Sequence, residues 1–291
     1  MFHLMMQQKG RYSAEYGSTL KTYLRISLIF WYLWACIRNK AIPWNYFQMN
    51  SIFFNKAKGI FSKLEMDALI PKRWRLEQIY YDPRHPPDRY PVFIKPEWGQ
   101  NSNGITCVYS KNEYRAFKNI ADHTDMPFIV QETAPGKKEF EIYYLRSPDY
   151  DDQYAFLSIT EVPNTCLQIH PINSIHNSCT RYVEVTRSFT KKELETIWLY
   201  LKDIGKFRMA RVGVKADTIK DLIKGKFHIV EINLFLPMPL ILLAENVNLC
   251  EKKKIIKTTM SLAARLVKKI PENETGEKIF FQKIKAHYKV T

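Results

Sequence analysis

The stretch His228-Ile229-Val230-Glu231-Ile232-Asn233 places a carboxylate and an amide two residues apart in an otherwise apolar run. Residues i and i+2 of a β-strand project from the same face, roughly 7 Å apart, so Glu231 and Asn233 are predicted to point to one side. Val230 and Ile232 are expected to face away from them. Two oxygen ligands on one face suit a hard cation such as Mg²⁺. Taken alone, however, the stretch is better explained as a half-buried strand with a polar face. The choice between this explanation and a metal site depends on the rest of the chain.

The composition is that of a basic globular chain. Its 291 residues are 46% hydrophobic and 14% aromatic, which is enough for the core of one large domain or two modest ones. The 44 Lys and Arg residues against 29 Asp and Glu give a formal net charge of +15, which favours anionic partners. The basic residues are dispersed, without an arginine-rich tail or a basic repeat interleaved with aromatics. Nucleic acid is therefore not expected among the partners.

The cysteines are odd in number and scattered, with no CxxC pair. This pattern is typical of reduced thiols in a cytoplasmic protein. Because no Cys and His residues stand at the spacing of a zinc site, no structural metal site is expected. The five are Cys36, Cys107, Cys166, Cys179 and Cys250.

Residues 23–37, YLRISLIFWYLWACI, form a strongly apolar segment with basic residues at both ends. Its most apolar part, 26–37, is shorter than the roughly 20 residues that cross a bilayer, and it lacks the cleavage site of a signal peptide. Two interpretations are open: a helix buried in the protein, or an aromatic-rich helix lying on an anionic membrane surface. The second would add peripheral membrane attachment to the cytoplasmic location.

Short strand signals are mixed with helical ones between residues 51 and 270. Clustered prolines in 82–88 mark a loop, and Thr190-Lys191-Lys192-Glu193 has the form of a capping box at the start of a helix that ends near Gly205. The mixture indicates an α+β fold rather than a doubly wound sheet. The predicted strands are 91–95, 105–109, 128–132, 139–145, 155–162, 182–186, 210–216 and 227–233, and further helices are predicted over 51–69, 111–121 and 251–269.

The segment Pro91-Val92-Phe93-Ile94-Lys95-Pro96 predicts a buried strand with a lysine near its end, and a polar loop with Gly99, Ser102 and Gly104 follows it. A lysine in this position can hold its ammonium group against a phosphate, while loop N–H groups close over the rest of a polyphosphate. The two glycines permit that approach because they lack a Cβ. By itself, the segment is better explained as a strand that meets an ordinary loop.

The strand 128–132 runs into Thr133-Ala134-Pro135-Gly136, and Glu139 lies just beyond this linker. Such a linker can offer backbone groups to the edge of an adenine ring, and a carboxylate can accept hydrogen bonds from ribose hydroxyls. On its own, it is better explained as a strand followed by a turn, with Glu139 in solvent.

Together, and in this order, these segments resemble the ATP-grasp superfamily, above all the branch of D-alanine–D-alanine ligase and related carboxylate–amine ligases. The resemblance extends over residues 51–269. It implies two α+β subdomains that clasp ATP in residues 51–270, preceded by a short helical, apolar segment in 1–50 and followed by a tail in 271–291. The motifs that carry it are Val92-Phe93-Ile94-Lys95-Pro96, the loop 99–104, Val130-Gln131-Glu132 with Gly136 and Glu139, Ala210-Arg211-Val212, and Glu231-Ile232-Asn233.

The resemblance implies a role for each matching residue. Glu231 and Asn233 would hold Mg²⁺, and Arg211 would stabilise charge on the reacting phosphoryl and acyl groups. Lys95 and a second lysine, either Lys56 or Lys63 with Lys63 preferred, would contact the nucleotide. The other expected ATP contacts fall into three groups. Gly99, Ser102 and Gly104 would cover the triphosphate, and Glu139 would bind the ribose. The adenine would lie against Glu132, Thr133 and Ala134, with the adjoining Gln131.

The activity that the resemblance implies is an ATP-dependent ligation of a small carboxylate to an amine through an acyl phosphate. Such phosphoryl transfer depends on positioning and charge neutralisation, so Lys95, Arg211 and Mg²⁺ would act without a protein nucleophile. One position departs from the family pattern: Gly213 stands where an aspartate usually provides a further metal ligand. Asp217 lies about 13 Å further along the strand and is too far to replace it. Two alternatives follow: a ligase in which Glu231 and water make up for the missing ligand, or a nucleotide-binding pseudoenzyme.

Two further expectations concern the strands around this site. If 210–216 pairs with 227–233, the basic face of Arg211 and Lys215 lies beside the acidic face of Glu231. Residues 234–239, LFLPMP, are more apolar than the usual substrate loop, so the sequence does not identify the substrate.

Overall fold

The computed structural model describes residues 2–99, 102–166, 168–275 and 279–282, with side chains described from Thr19 onwards. Two antiparallel sheets and several helices make up the α+β architecture that the sequence predicts. The strands are β1 (Gln78–Tyr80), β2 (Val92–Pro96), β3 (Thr106–Val108), β4 (Phe128–Glu132), β5 (Lys138–Arg146), β6 (Tyr154–Glu161), β7 (Val183–Glu184), β8 (Met209–Ala216) and β9 (His228–Asn233). The α-helices are α1 (Phe2–Asn39), α2 (Lys63–Ala68), α3 (Lys111–Ala116), α4 (Lys118–Ala121), α5 (Lys191–Leu201), α6 (Ile219–Ile223), α7 (Leu249–Lys268) and α8 (Glu272–Thr275).

The smaller sheet has the strand order β1-β4-β2-β3, and each neighbouring pair is antiparallel. Its core contains Ile94 from β2 and Val130 from β4, packed against Tyr114 and Phe117. The single helix predicted over 111–121 is interrupted at Phe117, where α3 ends and α4 begins.

The larger sheet has the order β7-β6-β5-β8-β9 and is also antiparallel. Because side chains alternate along a strand, β5 sends Phe140, Ile142 and Tyr144 into the core beneath α5 and α6. Glu139 and Glu141 therefore project from the opposite face. This polar face of the larger sheet carries the candidate site.

From Thr19 onwards, where its side chains are described, the first helix, α1, packs along α7 through one face. Leu24, Tyr32 and Cys36 are buried in this contact, and Ile256 and Ala263 of α7 belong to the same apolar cluster. One face of the helix is therefore buried in the protein, as the first interpretation of the apolar segment predicts, and the other face is exposed. No helix in the described part of the chain combines the length and hydropathy that crossing a membrane requires.

The helix predicted over 51–69 is wrong in its first half. A 3₁₀ turn at Ser51–Phe53 is followed by a β-bridge between Asn55 and Ile60, and Gly59 adopts a φ of 72°. The helix α2 begins only after Ser62, whose side chain accepts a hydrogen bond from the backbone N–H of Glu65. This N-cap satisfies one of the free donors of the first turn, so it fixes the start of the helix.

The expectation that all five cysteines are reduced is also wrong, because Cys166 and Cys179 form a disulfide. The long connection between β6 and β7 folds back on itself, and a β-bridge between Asn164 and Thr180 brings its two arms together. The two Cα atoms are 5.6 Å apart, although the cysteines are 13 positions apart in the sequence. That pairing depends on the fold of the loop, which the cysteine spacing does not reveal.

Candidate functional site

A cavity lies between the two sheets, at the end of β2 and over the polar face of β5, β8 and β9. Most of the site residues predicted from the sequence meet in its wall. Gly104 and Thr133 do not: Gly104 packs on Pro96, and the hydroxyl of Thr133 donates to the carbonyl of Pro91. The predicted residues that line the cavity are Lys63, Lys95, Gly99, Ser102, Gln131, Glu132, Ala134, Glu139, Arg211, Glu231 and Asn233.

Strands β8 and β9 pair as predicted and bring acidic and basic groups to one face. Asn233 Nδ2 donates to Glu231 Oε1 over 2.7 Å, so the two side chains point to the same side. Arg211 Nη2 lies 3.8 Å from Glu231 Oε1, and its backbone is in register with Asn233. The oxygen pair and the guanidinium therefore share one face of the sheet.

Val230 does not face away from this site, contrary to the expectation from simple alternation. The register of β8 and β9 pairs Gly213 with Glu231 and Val214 with Ile229, so Val230 is passed over. Such a bulge leaves one residue without a partner and turns it locally. Val230 consequently lines the cavity beside Glu231.

Two lysines reach the cavity from different elements. Lys95 Nζ, near the end of β2, donates to Gln131 Oε1 over 2.7 Å and to the carbonyl of Val230 over 3.2 Å. Lys63, in the first turn of α2, donates to the carbonyl of Pro96 over 2.6 Å. Lys56 is exposed and lies outside the cavity lining.

The burial of these lysines changes their protonation. Burial, together with the charge of Lys63, lowers the pKa of Lys95 to about 7. Burial also lowers the pKa of Lys63 to about 8, against the opposing effects of Glu231 and Glu97. Both ammonium groups are thus poorly compensated, and an anionic ligand such as a phosphate would stabilise their charged forms.

The ribose candidate, Glu139, lies at the start of β5. Its Oε2 accepts a hydrogen bond of 3.1 Å from Asn173 Nδ2, and burial raises the pKa of Glu139 to about 7. The backbone carbonyl of Asn173 in turn accepts a 2.7 Å hydrogen bond from the hydroxyl of Ser102. The connection between β6 and β7 therefore forms part of the site, a contribution that no sequence motif indicated.

Gly136 allows the linker before β5 to pass close to β8. Its φ is +118°, and a Cβ at this position would lie 2.8 Å from the backbone nitrogen of Ala216. Only glycine fits such a conformation and such a contact without strain. The linker that contains Ala134 is thereby held against the larger sheet.

The most important site residue not predicted from the sequence is Glu141. Its backbone is in register with Gly213, which is in register with Glu231 on the other side, so the three form one row across β5, β8 and β9. Glu141 Oε2 lies 3.1 Å from Arg211 Nε. Burial raises the pKa of Glu141 above its ordinary value, and Arg211 opposes this effect. The spacing of Glu139 and Glu141 along the predicted strand could have shown that both carboxylates lie on one face. The pairing of β5 with β8, which brings Glu141 to Arg211, was not visible in the sequence.

The residues present fit a hard cation. Glu231, Asn233 and Glu141 offer oxygen atoms on one face, which is the donor type that Mg²⁺ prefers. Glu141 Oε2 is buried and makes no hydrogen bond with any residue that the structure describes. Over the same ranges, no three His, Cys, Asp or Glu side chains form a cluster that could hold a metal on its own. A cation here would therefore take further ligands from water or phosphate.

Asp217 accepts a hydrogen bond from the backbone of Lys137 and is not part of the cavity lining.

Neither a protein-family model nor a curated protein sequence matches the chain. Solved structures do match it. Structurally, the chain is similar to ATP-grasp ligases. An L-amino acid ligase from Bacillus licheniformis matches at 13% identity and a TM-score of 0.45, over 70% of this chain and 48% of the ligase.

Two further structures show the same kind of similarity. A D-alanine–D-alanine ligase from Bacillus anthracis complexed with ATP matches at 15% identity and a TM-score of 0.45, over 70% of this chain and 67% of the ligase. The ATP-grasp ligase PsnB matches at 15% identity and a TM-score of 0.42, over 72% of this chain and 62% of PsnB. The chain thus spans only about half to two thirds of these enzymes. All three TM-scores lie below 0.5, so the function is inferred from the chain's own residues.

Proposed function

We propose that this protein binds ATP with Mg²⁺ in the cavity between its sheets and acts as an ATP-dependent carboxylate–amine ligase. The observation that supports this proposal is the convergence of Lys63, Lys95 and Arg211 with the oxygen pair Glu231 and Asn233. Two lysines whose charges are poorly compensated, together with an arginine and nearby oxygen ligands, suit a polyphosphate with its metal ion.

Each side chain has a distinct task in this proposal. Lys63 and Lys95 bind phosphate oxygens, and their ammonium groups become fully charged as they do so. Glu231 and Asn233 hold Mg²⁺, which neutralises phosphate charge when it is bound. Glu139 binds the ribose, and the linker from Glu132 to Ala134 flanks the adenine.

Arg211 is placed to stabilise charge that develops during the reaction. In the first step, a carboxylate oxygen of the substrate attacks the γ-phosphorus and the bond to the β-phosphate oxygen breaks, which gives an acyl phosphate and ADP. In the second, an amine attacks the acyl carbon, loses a proton and expels inorganic phosphate. Positioning and charge stabilisation carry both steps, so no protein nucleophile is required.

Thermal unfolding tests the binding part of the proposal. We expect ATP with Mg²⁺ to raise the Tm of the wild-type protein and Lys95→Met to abolish this increase. Lys253→Met, at an exposed position of α7, is the matched control and should respond like the wild type. The absence of any increase in the wild type at millimolar ATP would refute the proposal.

Hydroxylamine trapping tests the chemistry. With ATP, Mg²⁺ and pools of small carboxylic acids, a ligase releases ADP and yields an acyl hydroxamate from one pool. The alternative is a nucleotide-binding pseudoenzyme, which Gly213 favours because glycine provides no metal ligand. That alternative predicts an increased Tm with ATP but no hydroxamate and no ADP from any pool.

We also propose that the exposed face of α1 attaches the protein to an anionic membrane surface. Its apolar residues recur every three or four positions and form one stripe, in which each side chain is between 45% and 72% exposed. Arg25 and Arg38 are exposed at its flanks and match the negative charge of such a surface. The stripe consists of Ile26, Ile29, Phe30, Leu33 and Ile37.

Co-sedimentation with vesicles tests this attachment. We expect binding to phosphatidylcholine vesicles that contain phosphatidylserine, weakened by salt and lost in the double variant Ile29→Asp/Leu33→Asp. Leu199→Asp, at an exposed apolar position of α5, is the control and should bind like the wild type. Absence of vesicle binding, or self-association of the protein through the stripe in its place, would contradict the proposal.

A further inference from the structure

The space above Gly213 is occupied from the neighbouring strand. A Cβ built on Gly213 would lie 3.1 Å from Glu141 Oε1 and 3.1 Å from Glu231 Cγ. The carboxylate of Glu141 therefore reaches the place where an aspartate side chain at position 213 would begin. The two groups cannot both fit there without a local shift.

The contacts of Glu141 leave it incompletely compensated. The residue is only 6% exposed, and removing a carboxylate from water is costly unless another charge and hydrogen bonds replace the lost hydration. Its ion pair with Arg211 is shared, since the same guanidinium also faces Glu231. Apart from their contact with each other at 3.1 Å, neither Glu141 Oε2 nor Arg211 Nε has a polar partner at hydrogen-bonding geometry within the described part of the chain. Two carboxylates thus face one cation.

We propose that Glu141 takes the place of the absent aspartate and provides a third protein oxygen ligand to the divalent cation held by Glu231 and Asn233. This inference rests on the proposed function, because it assumes that the metal site serves the nucleotide. A ligand on β5 replaces one on β8, and Gly213 is the residue that leaves room for it. The competing explanation is that Glu141 only positions Arg211.

Metal affinity distinguishes these explanations without any measurement of turnover. The probe is Mn²⁺, followed by electron paramagnetic resonance with and without ADP. If Glu141 is a ligand, Glu141→Gln weakens Mn²⁺ binding at least about tenfold, an effect typical of losing a residue at a metal site. If Glu141 only positions Arg211, Mn²⁺ affinity is unchanged, and that result would overturn the inference.

Glu184→Gln is the matched control. Glu184 is also 6% exposed, lies in the same sheet and pairs with an arginine, Arg187, at 3.5 Å, but it lies outside the cavity. We expect this variant to bind Mn²⁺ like the wild type. Should Glu141→Gln fail to fold, Glu141→Asp keeps the charge on a shorter side chain and is expected to bind Mn²⁺ more weakly.

A double variant moves the carboxylate back to β8. Gly213→Asp alone is crowded by Glu141, so it should not improve Mn²⁺ binding, whereas Glu141→Ala/Gly213→Asp should recover most of the affinity that Glu141→Ala loses. If the double variant folds but does not recover Mn²⁺ affinity, the inference that Glu141 takes the place of an aspartate at position 213 is contradicted. If the wild type binds Mn²⁺ but never ATP, the proposed function fails and the metal site stands. If Glu141→Gln and the wild type bind Mn²⁺ and ADP equally well, the inference about Glu141 fails and the proposed nucleotide binding stands.

Discussion

Lys95 Nζ lies 3.2 Å from the carbonyl oxygen of Val230, and this hydrogen bond joins the two sheets at the floor of the cavity. Gln131 Nε2 donates to the same carbonyl over 3.3 Å. The carbonyl is available because β9 is an edge strand and Val230 is the bulge residue that its partner strand passes over. A buried ammonium thus contributes to the contact between the sheets while it remains within reach of a ligand.

The pH dependence of stability should reveal this buried ammonium. The pKa of Lys95 is lowered from 10.5 to about 7, so between these values the unfolded chain binds one proton more than the folded protein. The free energy of unfolding therefore rises with pH across this window, and below about pH 7 the full cost of burying the charge is present. We expect Lys95→Met to stabilise the ligand-free protein at about pH 6 by on the order of a few kcal/mol, with the gain declining toward pH 10. Urea denaturation of both proteins at several pH values measures this difference in the free energy of unfolding. A difference that does not change with pH would contradict the lowered pKa of Lys95.

Lys63 and Lys56 form a natural pair for testing which lysine contacts the nucleotide. Lys63 lines the cavity, whereas Lys56 is exposed outside it. We expect Lys63→Met to weaken ATP binding by about tenfold or more, since a charge-assisted hydrogen bond is lost. Lys56→Met should leave the Kd unchanged. Isothermal titration calorimetry provides the comparison, and equal losses in the two variants would show that general surface charge is responsible.

Glu139 should recognise the ribose hydroxyls. A hydrogen bond to a charged group contributes roughly 1.5–3 kcal/mol, so we expect Glu139→Gln to lower ATP affinity by at least about tenfold. The affinity for 2′,3′-dideoxy-ATP should hardly change, because that nucleotide lacks the hydroxyls. Fluorescence titration of both nucleotides in both proteins completes the cycle. An equal loss for the two nucleotides would assign Glu139 a different role.

Gly136 and Gly99 should differ in their tolerance of a methyl group. Gly136 combines a φ of +118° with backbone atoms of Ala216 that would lie within 3.0 Å of an added Cβ, whereas the nearest atom at Gly99 would be 3.6 Å away. We expect Gly136→Ala to lower the free energy of unfolding by about 1–3 kcal/mol and Gly99→Ala to change it by less than about 0.5 kcal/mol. Urea denaturation measures both, and the reverse order would refute the account of the linker.

The sequence predicts this fold well where the signals are local. Short apolar runs identified β2, β4, β5, β8 and β9, and the capping box marked the start of α5 where the structure has it. The spacing of Glu231 and Asn233 was enough to place them on one face. Each of these inferences concerns residues within one element, whose geometry depends on backbone periodicity alone.

Three features that the sequence did not reveal depend on contacts between distant residues. Glu141 meets Gly213 through strand register, the bulge at Val230 breaks the simple alternation, and the disulfide follows from the folding back of a long loop. Tertiary pairing decides these positions, and it is not encoded at any short spacing. The helix predicted over 51–69 fails for a different, local reason: Asn55 bridges Ile60, and the Ser62 side chain caps the start of α2 by accepting a hydrogen bond from Glu65, three residues on.

The row formed by Glu141, Gly213 and Glu231 also bears on how such proteins are found and how they diverge. Positions that face each other across neighbouring strands share one volume, so a carboxylate can be lost from one of them and gained at the other in two substitutions. A search along the chain for arginine followed by aspartate would pass over this protein. A search across the sheet, for a glycine flanked by two acidic neighbours, would find it and any protein that shares this row.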